Sequence, residues 1–291
     1  MTAVHRSWLY VPGTRPDRFA AAAASGADAV VVDLEDAVPV AAKATAREAA
    51  ATHVHAANPA VVPIYVRINH PRTPWARADV TALAGPGLAG VRIPKVENPE
   101  EIQDVAGWLR GLGAAVPLYC LIESALGVER AFDLAGADPL VAGIALGEAD
   151  LAADLGTGDD DGLRYARSRC VVAARAAGLP PPVQAVFPNV HDLDGLRASC
   201  VQGRRLGFLG RSAIHPRQVP VINTAYTPTG SEVADARALV ESAERRENEP
   251  FVLADGRFVD AAVAEHARRT LELARRPSVP ADDTSDEELL S

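Results

Sequence analysis

The chain has 291 residues, of which 48% are hydrophobic and 23% charged, as is typical of a soluble globular protein with a sizeable core. Its formal net charge of −9 argues against nucleic acid or an anionic membrane as the main partner, because both require a basic face. Three widely spaced cysteines indicate reduced thiols and not a disulfide framework or zinc site. Met1 to Ser7 lacks an apolar signal core, and no apolar run approaches the roughly 20 residues that span a bilayer, so we expect a cytoplasmic protein.

Eight short apolar runs alternate with longer helical stretches along the chain. The runs are rich in Val, Ile or Leu, which is typical of parallel strands that are buried on both faces. They cover residues 8–11, 29–34, 63–68, 90–94, 118–122, 143–146, 183–187 and 212–214. Eight strand–helix alternations predict a (β/α)8 TIM barrel over residues 1–225. An open doubly wound sheet is the alternative, although the first strand lacks the GxGxxG turn of a dinucleotide-binding fold.

The C-terminal part is predicted to be an appendage to the barrel. Residues 226–276 are expected to form a helix, a hairpin and a final helix. The hairpin is indicated by Asp255-Gly256, a strong two-residue turn signal, between the short apolar runs 251–254 and 257–260. Residues 277–291 are acidic and contain Pro and Ser, which predicts a disordered tail.

Carboxylates follow two sequential strands of the predicted barrel. Glu123 comes directly after the fifth apolar run and Asp150 follows the sixth, at the end of a barrel where catalytic groups collect. Two carboxylates that converge there repel each other unless a cation or a proton lies between them. Oxygen ligation by few protein groups suits Mg²⁺. The alternative is that each carboxylate pairs with a nearby arginine.

The other strand-end candidates are basic. Arg67 lies inside the third apolar run, where its guanidinium suits a substrate carboxylate. The alternative is a structural ion pair with the acidic residues of the segment 33–36. Lys95 ends the fourth run, and a solvated or carboxylate-paired lysine is favoured there over a Schiff-base nucleophile. His215 is interpreted as a packed or capping residue before a proline and not as a base.

Several motifs in one order resemble a known family. They lie at residues 6–13, 26–28, 33–38, 43, 47, 65–69, 94–95, 121–123, 147–151 and 213–216. Over residues 6–275 the chain resembles the citrate lyase β-subunit-like (CitE-like) proteins of the HpcH/HpaI aldolase/citrate lyase family. This resemblance implies a barrel that forms homotrimers or hexamers and that cleaves or condenses 3-hydroxyacyl-CoA thioesters.

The resemblance also implies a role for individual residues. Glu123 and Asp150 match the Mg²⁺ ligands, and Arg67 matches a residue that binds the oxo-acid carboxylate. The lid is expected to close over a neighbouring subunit's site and to deliver Asp260, which matches a catalytic aspartate. The implied substrate-binding set is Arg67, Tyr10, Pro94 and Lys95, and the implied coenzyme A set is Tyr10, Lys43, Arg47, Ile214 and His215.

Two departures from the family pattern stand out. The sixth-strand motif Gly-Ala-Glu-Asp here reads Gly-Glu-Ala-Asp, so Glu148 is displaced by one position. In some members, lysines of the first helix hold coenzyme A, and here Asp17 and Ala21 stand in that region. The second departure leaves open a different grip on the cofactor or a different thioester carrier.

The predicted function is therefore a Mg²⁺-dependent carbon–carbon lyase. Its substrate would be a citryl-, malyl- or citramalyl-CoA type of thioester, and its products an acyl-CoA and an oxo acid. Two alternatives stay open. One is the β subunit of a citrate lyase complex that acts on a citryl-acyl carrier protein, and the other is a non-catalytic barrel that binds acyl-CoA or scaffolds a partner.

Overall fold

The computed structural model describes residues 5–58, 61–246, 249–253 and 255–274. The chain divides into two compact units, Met1–Asn223 and Thr224–Ser291, so the division lies two residues before the predicted boundary at residue 225. The predicted tail, residues 277–291, lies outside the described residues.

A curled sheet of seven parallel strands forms the centre of the first unit. Along the sheet the order is β6-β5-β4-β3-β2-β1-β7, and each strand that follows another in sequence is its neighbour, except at β7. The strands are β1 (Ser7–Pro12), β2 (Ala29–Asp33), β3 (Ile64–Arg67), β4 (Leu88–Ile93), β5 (Leu118–Ile122), β6 (Val141–Leu146) and β7 (Arg211–Ala213). Their apolar side chains are buried on both faces, which confirms the predicted parallel α/β architecture.

The predicted strand over residues 183–187 is present only as two isolated bridges. Val183 pairs with Ala145 of β6, and Gln184 pairs with Arg211 of β7, so this segment touches both edge strands of the sheet. It does not extend into a continuous strand. Prolines at 180–182 and 188 flank the segment, and proline cannot donate a hydrogen bond to a neighbouring strand.

Helices connect the strands of the first unit. They are α1 (Phe19–Ala23), α2 (Lys43–Ala56), α3 (Ala76–Leu83), α4 (Pro99–Gly111), α5 (Ala125–Glu129), α6 (Ala131–Ala135), α7 (Glu148–Leu155), α8 (Arg164–Ala176) and α9 (Leu193–Leu206), and α10 (Gln218–Tyr226) follows β7. Helix α4 begins as the sequence predicts, with Pro99 in its first turn and a capping box between Asn98 and Glu101.

Aromatic rings fill the inside of the curled sheet. Tyr65 and Tyr119 meet edge to face with their centroids 5.4 Å apart, and Trp8 lies 5.3 Å from Tyr119. Gly90 and Gly143 make room for them, because a Cβ atom at these positions would lie 2.6 Å and 2.9 Å from the tyrosine rings. Tyr10 packs against this cluster and borders the site described below.

The second unit contains the predicted helix, hairpin and helix. Helix α11 (Gly230–Glu244) begins with a capping box between Thr229 and Glu232. Strands β8 (Phe251–Val252) and β9 (Phe258–Val259) pair antiparallel, and helix α12 (Ala261–Ala274) follows. The chain turns at Asp255-Gly256, with Gly256 at a φ of 87°, but Val252 pairs with Phe258, so the connection is longer than the two residues predicted.

Candidate active site

A cavity of about 490 Å³ opens where the strands of the first unit end. All of its lining residues belong to that unit. They include Tyr10, Asp33, Asp36, Arg67, Arg92, Glu123, Gly147, Glu148, Asp150 and Ile214. The carboxyl ends of parallel strands are where such folds place their ligands, so this cavity is the candidate active site.

Glu123 lies buried at the end of β5, with 4% of its side chain exposed. Its Oε2 atom has no hydrogen-bond partner among the described residues. Burial, together with the neighbouring carboxylates Glu35 and Asp150, raises the pKa of Glu123 to about 7. A buried carboxylate oxygen without a donor is costly, so this atom is available for a cation or a ligand proton.

Asp150 follows β6, as the sequence indicates, but it lies in a helix. Helix α7 begins at Glu148, immediately after Gly147, so Asp150 lies in its first turn, with 47% of its side chain exposed. Gly147 allows Glu123 and α7 to approach closely, because a Cβ atom there would lie 2.4 Å from Glu123 Cγ. The sequence predicts that Asp150 follows the sixth strand, but it does not predict that a helix begins as early as Glu148.

Lys95 lies between the two predicted metal ligands. Its Nζ atom is 3.9 Å from Glu123 Oε2 and 4.0 Å from Asp150 Oδ1. It is also 2.5 Å from Glu35 and 2.8 Å from Asp36. Burial opposes the charge of Lys95, but hydrogen bonds to Asp36 and Glu35 outweigh burial and raise its pKa. The amine is therefore held protonated, as the carboxylate-paired interpretation expects, and is unsuited to Schiff-base chemistry.

Arg67 ends β3 and makes the ion pairs that the alternative interpretation expects. Its Nε and one terminal nitrogen each lie 2.7 Å from Asp33, and the other terminal nitrogen lies 2.8 Å from Glu35. The hydrogen bonds to Asp33 use two of its five N–H groups. The others leave the guanidinium able to bind a ligand carboxylate at the cavity wall.

Arg92 of β4 was missed by the sequence reasoning. It pairs in register with Arg67 and lines the same cavity, with 1% of its surface exposed. Its Nε atom and one terminal nitrogen have no hydrogen-bond partner in the described part of the chain. The available signal was a charged residue inside the apolar run Gly90-Val91-Arg92-Ile93, the same pattern that drew attention to Arg67.

Lys43 and Arg47, both predicted to contact coenzyme A, face inward. The buried Lys43 ammonium donates to the carbonyl oxygens of Leu34 and Glu35, each at 2.8 Å. Arg47 lies 2.7 Å from the fully buried Asp79, which also accepts two hydrogen bonds from Asn69. In this arrangement both side chains support the loops that follow β2 and β3, and a direct contact with coenzyme A stays a prediction.

Two of the other predicted binding residues, Tyr10 and Ile214, are among the residues that line the cavity. Tyr10 lines it, and burial raises the pKa of its hydroxyl. Ile214 lines it as well, but its backbone N–H already donates to Gln218 at 2.9 Å. Pro94 is buried, and the half-buried His215 accepts a hydrogen bond from the backbone of Arg217.

Two acidic residues have structural partners. Glu148, displaced in sequence relative to the family, forms a two-point ion pair with Arg167 at 2.6 Å and 2.8 Å. Asp260 of the second unit caps helix α12, where its Oδ1 atom accepts hydrogen bonds from the backbone of Ala262 and Val263. These contacts account for the positions of both side chains. A catalytic role of Asp260 stays a prediction.

The fold and the cavity together define a parallel α/β protein of the lyase and aldolase type, with carboxylates and guanidinium groups gathered at the ends of its strands. The chain belongs to the HpcH/HpaI aldolase/citrate lyase family, whose model matches residues 6–216. This membership confirms the resemblance predicted from the sequence and, with it, the predicted enzyme class.

Curated relatives match along nearly the whole chain. A (3S)-malyl-CoA thioesterase from Cereibacter sphaeroides is 36% identical over 275 residues, covering 92% of this chain and 94% of the relative. A citrate lyase subunit beta from Leuconostoc mesenteroides subsp. cremoris is 32% identical and covers 93% of each chain.

Solved structures agree with this membership. CitE from Mycobacterium tuberculosis in complex with magnesium, acetoacetate and coenzyme A is 34% identical, with a TM-score of 0.79, covering 94% of this chain and 99% of that one. A citrate lyase beta subunit from M. tuberculosis complexed with oxaloacetate and magnesium is also 34% identical, with a TM-score of 0.68, covering 78% and 99%. The ligands of these relatives include magnesium and coenzyme A, which are the cofactor and the thioester carrier predicted from the sequence. Within its described residues the chain has no helix long and apolar enough to cross a membrane.

Proposed function

We propose that this protein is a Mg²⁺-dependent carbon–carbon lyase that cleaves or forms a 3-hydroxyacyl-CoA thioester. The products of cleavage are an acyl-CoA and an oxo acid. The observation that carries the proposal is the pair Glu123 and Asp150, whose carboxylates both lie within 4.0 Å of the same ammonium nitrogen. Both carboxylates therefore border the same point of the cavity, beside the Lys95 ammonium.

The residues at this point fit Mg²⁺. The donors are carboxylate oxygens, which Mg²⁺ prefers, and Glu123 Oε2 has no donor among the described residues. No group of three or more His, Cys, Asp or Glu residues with metal-binding geometry occurs in the described ranges. Two protein ligands suit an ion that keeps water and takes up substrate oxygens. When bound, it would supply Lewis-acid stabilisation to oxygens of the substrate.

The chain's own residues would orient the substrate and stabilise its charge. Arg67 binds the carboxylate next to the hydroxylated carbon through N–H groups that do not bond to Asp33. A water molecule takes the proton of the β-hydroxyl, the bond between the α and β carbons breaks, and its electron pair passes to the thioester enolate. Asp260 of the partner subunit then relays that proton to the enolate carbon. Tyr10 and Ile214, at the cavity wall, are the proposed contacts for the thioester arm. His215 is proposed to contact this arm as well, and Pro94 and Lys95 are proposed to border the substrate.

We propose further that the first unit is a closed (β/α)8 barrel. The bridged segment of Val183 and Gln184 would close it as the strand between β6 and β7. The proposed assembly is a homotrimer or hexamer in which the second unit covers a neighbouring site. Co-expression of Glu123→Gln and Asp260→Asn chains tests this lid. If a site combines residues of two chains, random pairing restores about a quarter of the sites. Mixed oligomers as inactive as each parent would exclude delivery of Asp260 by a partner.

A turnover screen tests the proposed reaction. Malyl-, citramalyl-, citryl- and 3-hydroxy-3-methylglutaryl-CoA are supplied with and without Mg²⁺, and acyl-CoA and oxo acid are quantified by mass spectrometry. We expect Mg²⁺-dependent formation of both products in equal amounts. Glu123→Gln should abolish this turnover, while the exposed-surface variant Asp161→Asn should retain it. Equal activity of the two variants would contradict the metal assignment.

Thioester hydrolysis is the second candidate, because (3S)-malyl-CoA thioesterases are among the relatives with 35–36% identity. The same screen separates the two reactions, since hydrolysis releases free coenzyme A thiol and the intact hydroxy acid. A citrate lyase subunit would instead prefer a citryl group on an acyl carrier protein. A non-catalytic barrel would bind acyl-CoA without any turnover.

A further inference from the structure

The cavity wall contains a charged group, the Arg92 guanidinium, for which the described residues provide no counter-charge. Arg92 is almost completely buried, and no carboxylate in the described part of the chain contacts it. Its guanidinium lies 5.0 Å from the centroid of Trp8 and 5.4 Å from that of Tyr10. Ring contacts stabilise a buried cation only partly, and its unbonded N–H groups still lack acceptors.

Arg92 differs from the neighbouring Arg67 in its contacts with carboxylates. Arg67 and Arg92 are register partners on neighbouring parallel strands, so their side chains leave the same face of the sheet. Both guanidinium carbons lie 5.4 Å from the Tyr10 ring. Asp33 and Glu35 neutralise Arg67, whereas Arg92 has no such partner within the described ranges. Arg67 therefore contributes little net positive charge, and the uncompensated charge that favours an anion at this wall is that of Arg92.

Position in the cavity indicates which part of a substrate reaches Arg92. Asp150 is half exposed, whereas Arg92 has almost no exposed surface, so the cavity deepens from Asp150 toward Arg92. The coenzyme A arm reaches the reacting carbons from solvent, through the opening of the cavity beside the half-exposed Asp150. The group at Arg92 therefore belongs to the substrate end farthest from the thioester.

We infer that Arg92 binds a second carboxylate on the oxo-acid half of the substrate. The inference rests on the proposed function and narrows its substrate class to thioesters whose oxo-acid product is a dicarboxylate. The planar guanidinium of Arg92 offers N–H donors to that carboxylate, and the N–H groups of Arg67 that do not bond to Asp33 remain for the carboxylate beside the hydroxylated carbon. A substrate whose hydroxylated carbon carries hydrogen or methyl, and no substituent with a second carboxylate, leaves Arg92 without an anion.

Three thioesters test this inference because they differ only in one substituent on the hydroxylated carbon. Citryl-CoA carries a carboxymethyl group there, citramalyl-CoA a methyl group and malyl-CoA a hydrogen. We expect the wild-type kcat/KM for citryl-CoA to exceed that for citramalyl-CoA by about 100-fold, the effect of one desolvated charge pair. In Arg92→Met this ratio should fall to near unity. A wild-type preference for citramalyl- or malyl-CoA, or a ratio unchanged in Arg92→Met, would overturn the inference.

Ligand binding and stability separate this inference from the proposed function. With Mg²⁺ present, calorimetry compares oxaloacetate with 2-oxobutanoate, which has a methyl group in place of the second carboxylate. Wild type should prefer oxaloacetate and Arg92→Met should not, even if no thioester is cleaved. Arg92→Met should also raise the Tm of the ligand-free protein, since it removes an unpaired buried charge. Equal binding of both oxo acids by wild type, or a lower Tm in Arg92→Met, would assign Arg92 a purely structural role.

Discussion

The ammonium nitrogen of Lys95 lies 3.9 Å from Oε2 of Glu123, a buried oxygen that accepts no hydrogen bond from the described residues. Lys95 therefore acts as an internal cation beside the proposed metal position. It reduces the repulsion among the surrounding carboxylates, and it also repels a divalent ion that approaches them.

We expect Lys95→Met to increase the affinity for Mg²⁺ by about tenfold, because a positive charge within 4.0 Å of both ligands is removed. Lys95→Arg retains the charge and serves as the control. Isothermal titration calorimetry at pH 8 measures the change. A weaker affinity in Lys95→Met would mean that Lys95 holds the ligands in place instead of competing with the ion.

Gly147→Ala should disrupt metal binding by steric displacement alone. Its Cβ atom would lie 2.4 Å from Glu123 Cγ and 2.6 Å from Oε1, so the carboxylate must move. Gly107→Ala is the matched control, since a Cβ atom at this exposed position in α4 meets nothing within 4 Å and alanine favours a helix by about 1 kcal/mol. We expect at least tenfold weaker Mg²⁺ binding in Gly147→Ala only. Equal affinities would contradict the close packing of α7 on Glu123.

Asp79→Asn should destabilise the fold without direct loss of a ligand-binding group. Asp79 is fully buried and pairs with Arg47 at 2.7 Å, so its neutralisation leaves a guanidinium without its carboxylate. We expect a loss of about 3 kcal/mol in the free energy of unfolding, measured by urea denaturation. Asp161→Asn removes an exposed pair with Arg164 and should change stability by less than about 0.5 kcal/mol. Similar losses in both variants would argue against a structural role of the buried pair.

The two roles of Asp260 can be separated by the choice of substitution. Asparagine is as good an N-cap as aspartate, so Asp260→Asn should preserve helix α12, whereas Asp260→Ala should cost about 1 kcal/mol. Both substitutions remove the proposed proton donor, and we expect turnover to fall at least 100-fold in each. Full activity in Asp260→Asn would limit Asp260 to capping.

The sequence predicts the alternation of the fold well because buried parallel strands leave a strong apolar signal. Seven of the eight predicted runs form strands, while residues 183–187, between prolines, form only bridges. Chain order also predicts that Glu123, Arg67 and Lys95 share one end of the sheet. It could not predict that Lys43 turns toward backbone carbonyls, since that depends on how the loop after β2 folds back.

Arg92 shows why side-chain pairing is harder to predict than strand position. Arg67 and Arg92 occupy equivalent places in neighbouring apolar runs and look alike in sequence. They differ only because Asp33 and Glu35 reach Arg67 and not Arg92. That difference depends on three-dimensional distances between different loops, which no local pattern encodes.

The pH dependence of Mg²⁺ affinity tests the account most directly. Burial raises the pKa of Glu123 to about 7, so below that pH a proton occupies the carboxylate and must leave before the ion binds. In calorimetric titrations, wild-type affinity should level off above pH 7 and fall about tenfold per pH unit below it, and Glu123→Gln should show no binding at any pH. An affinity that is unchanged between pH 5 and 8, or that is retained by Glu123→Gln, would contradict the proposed metal site.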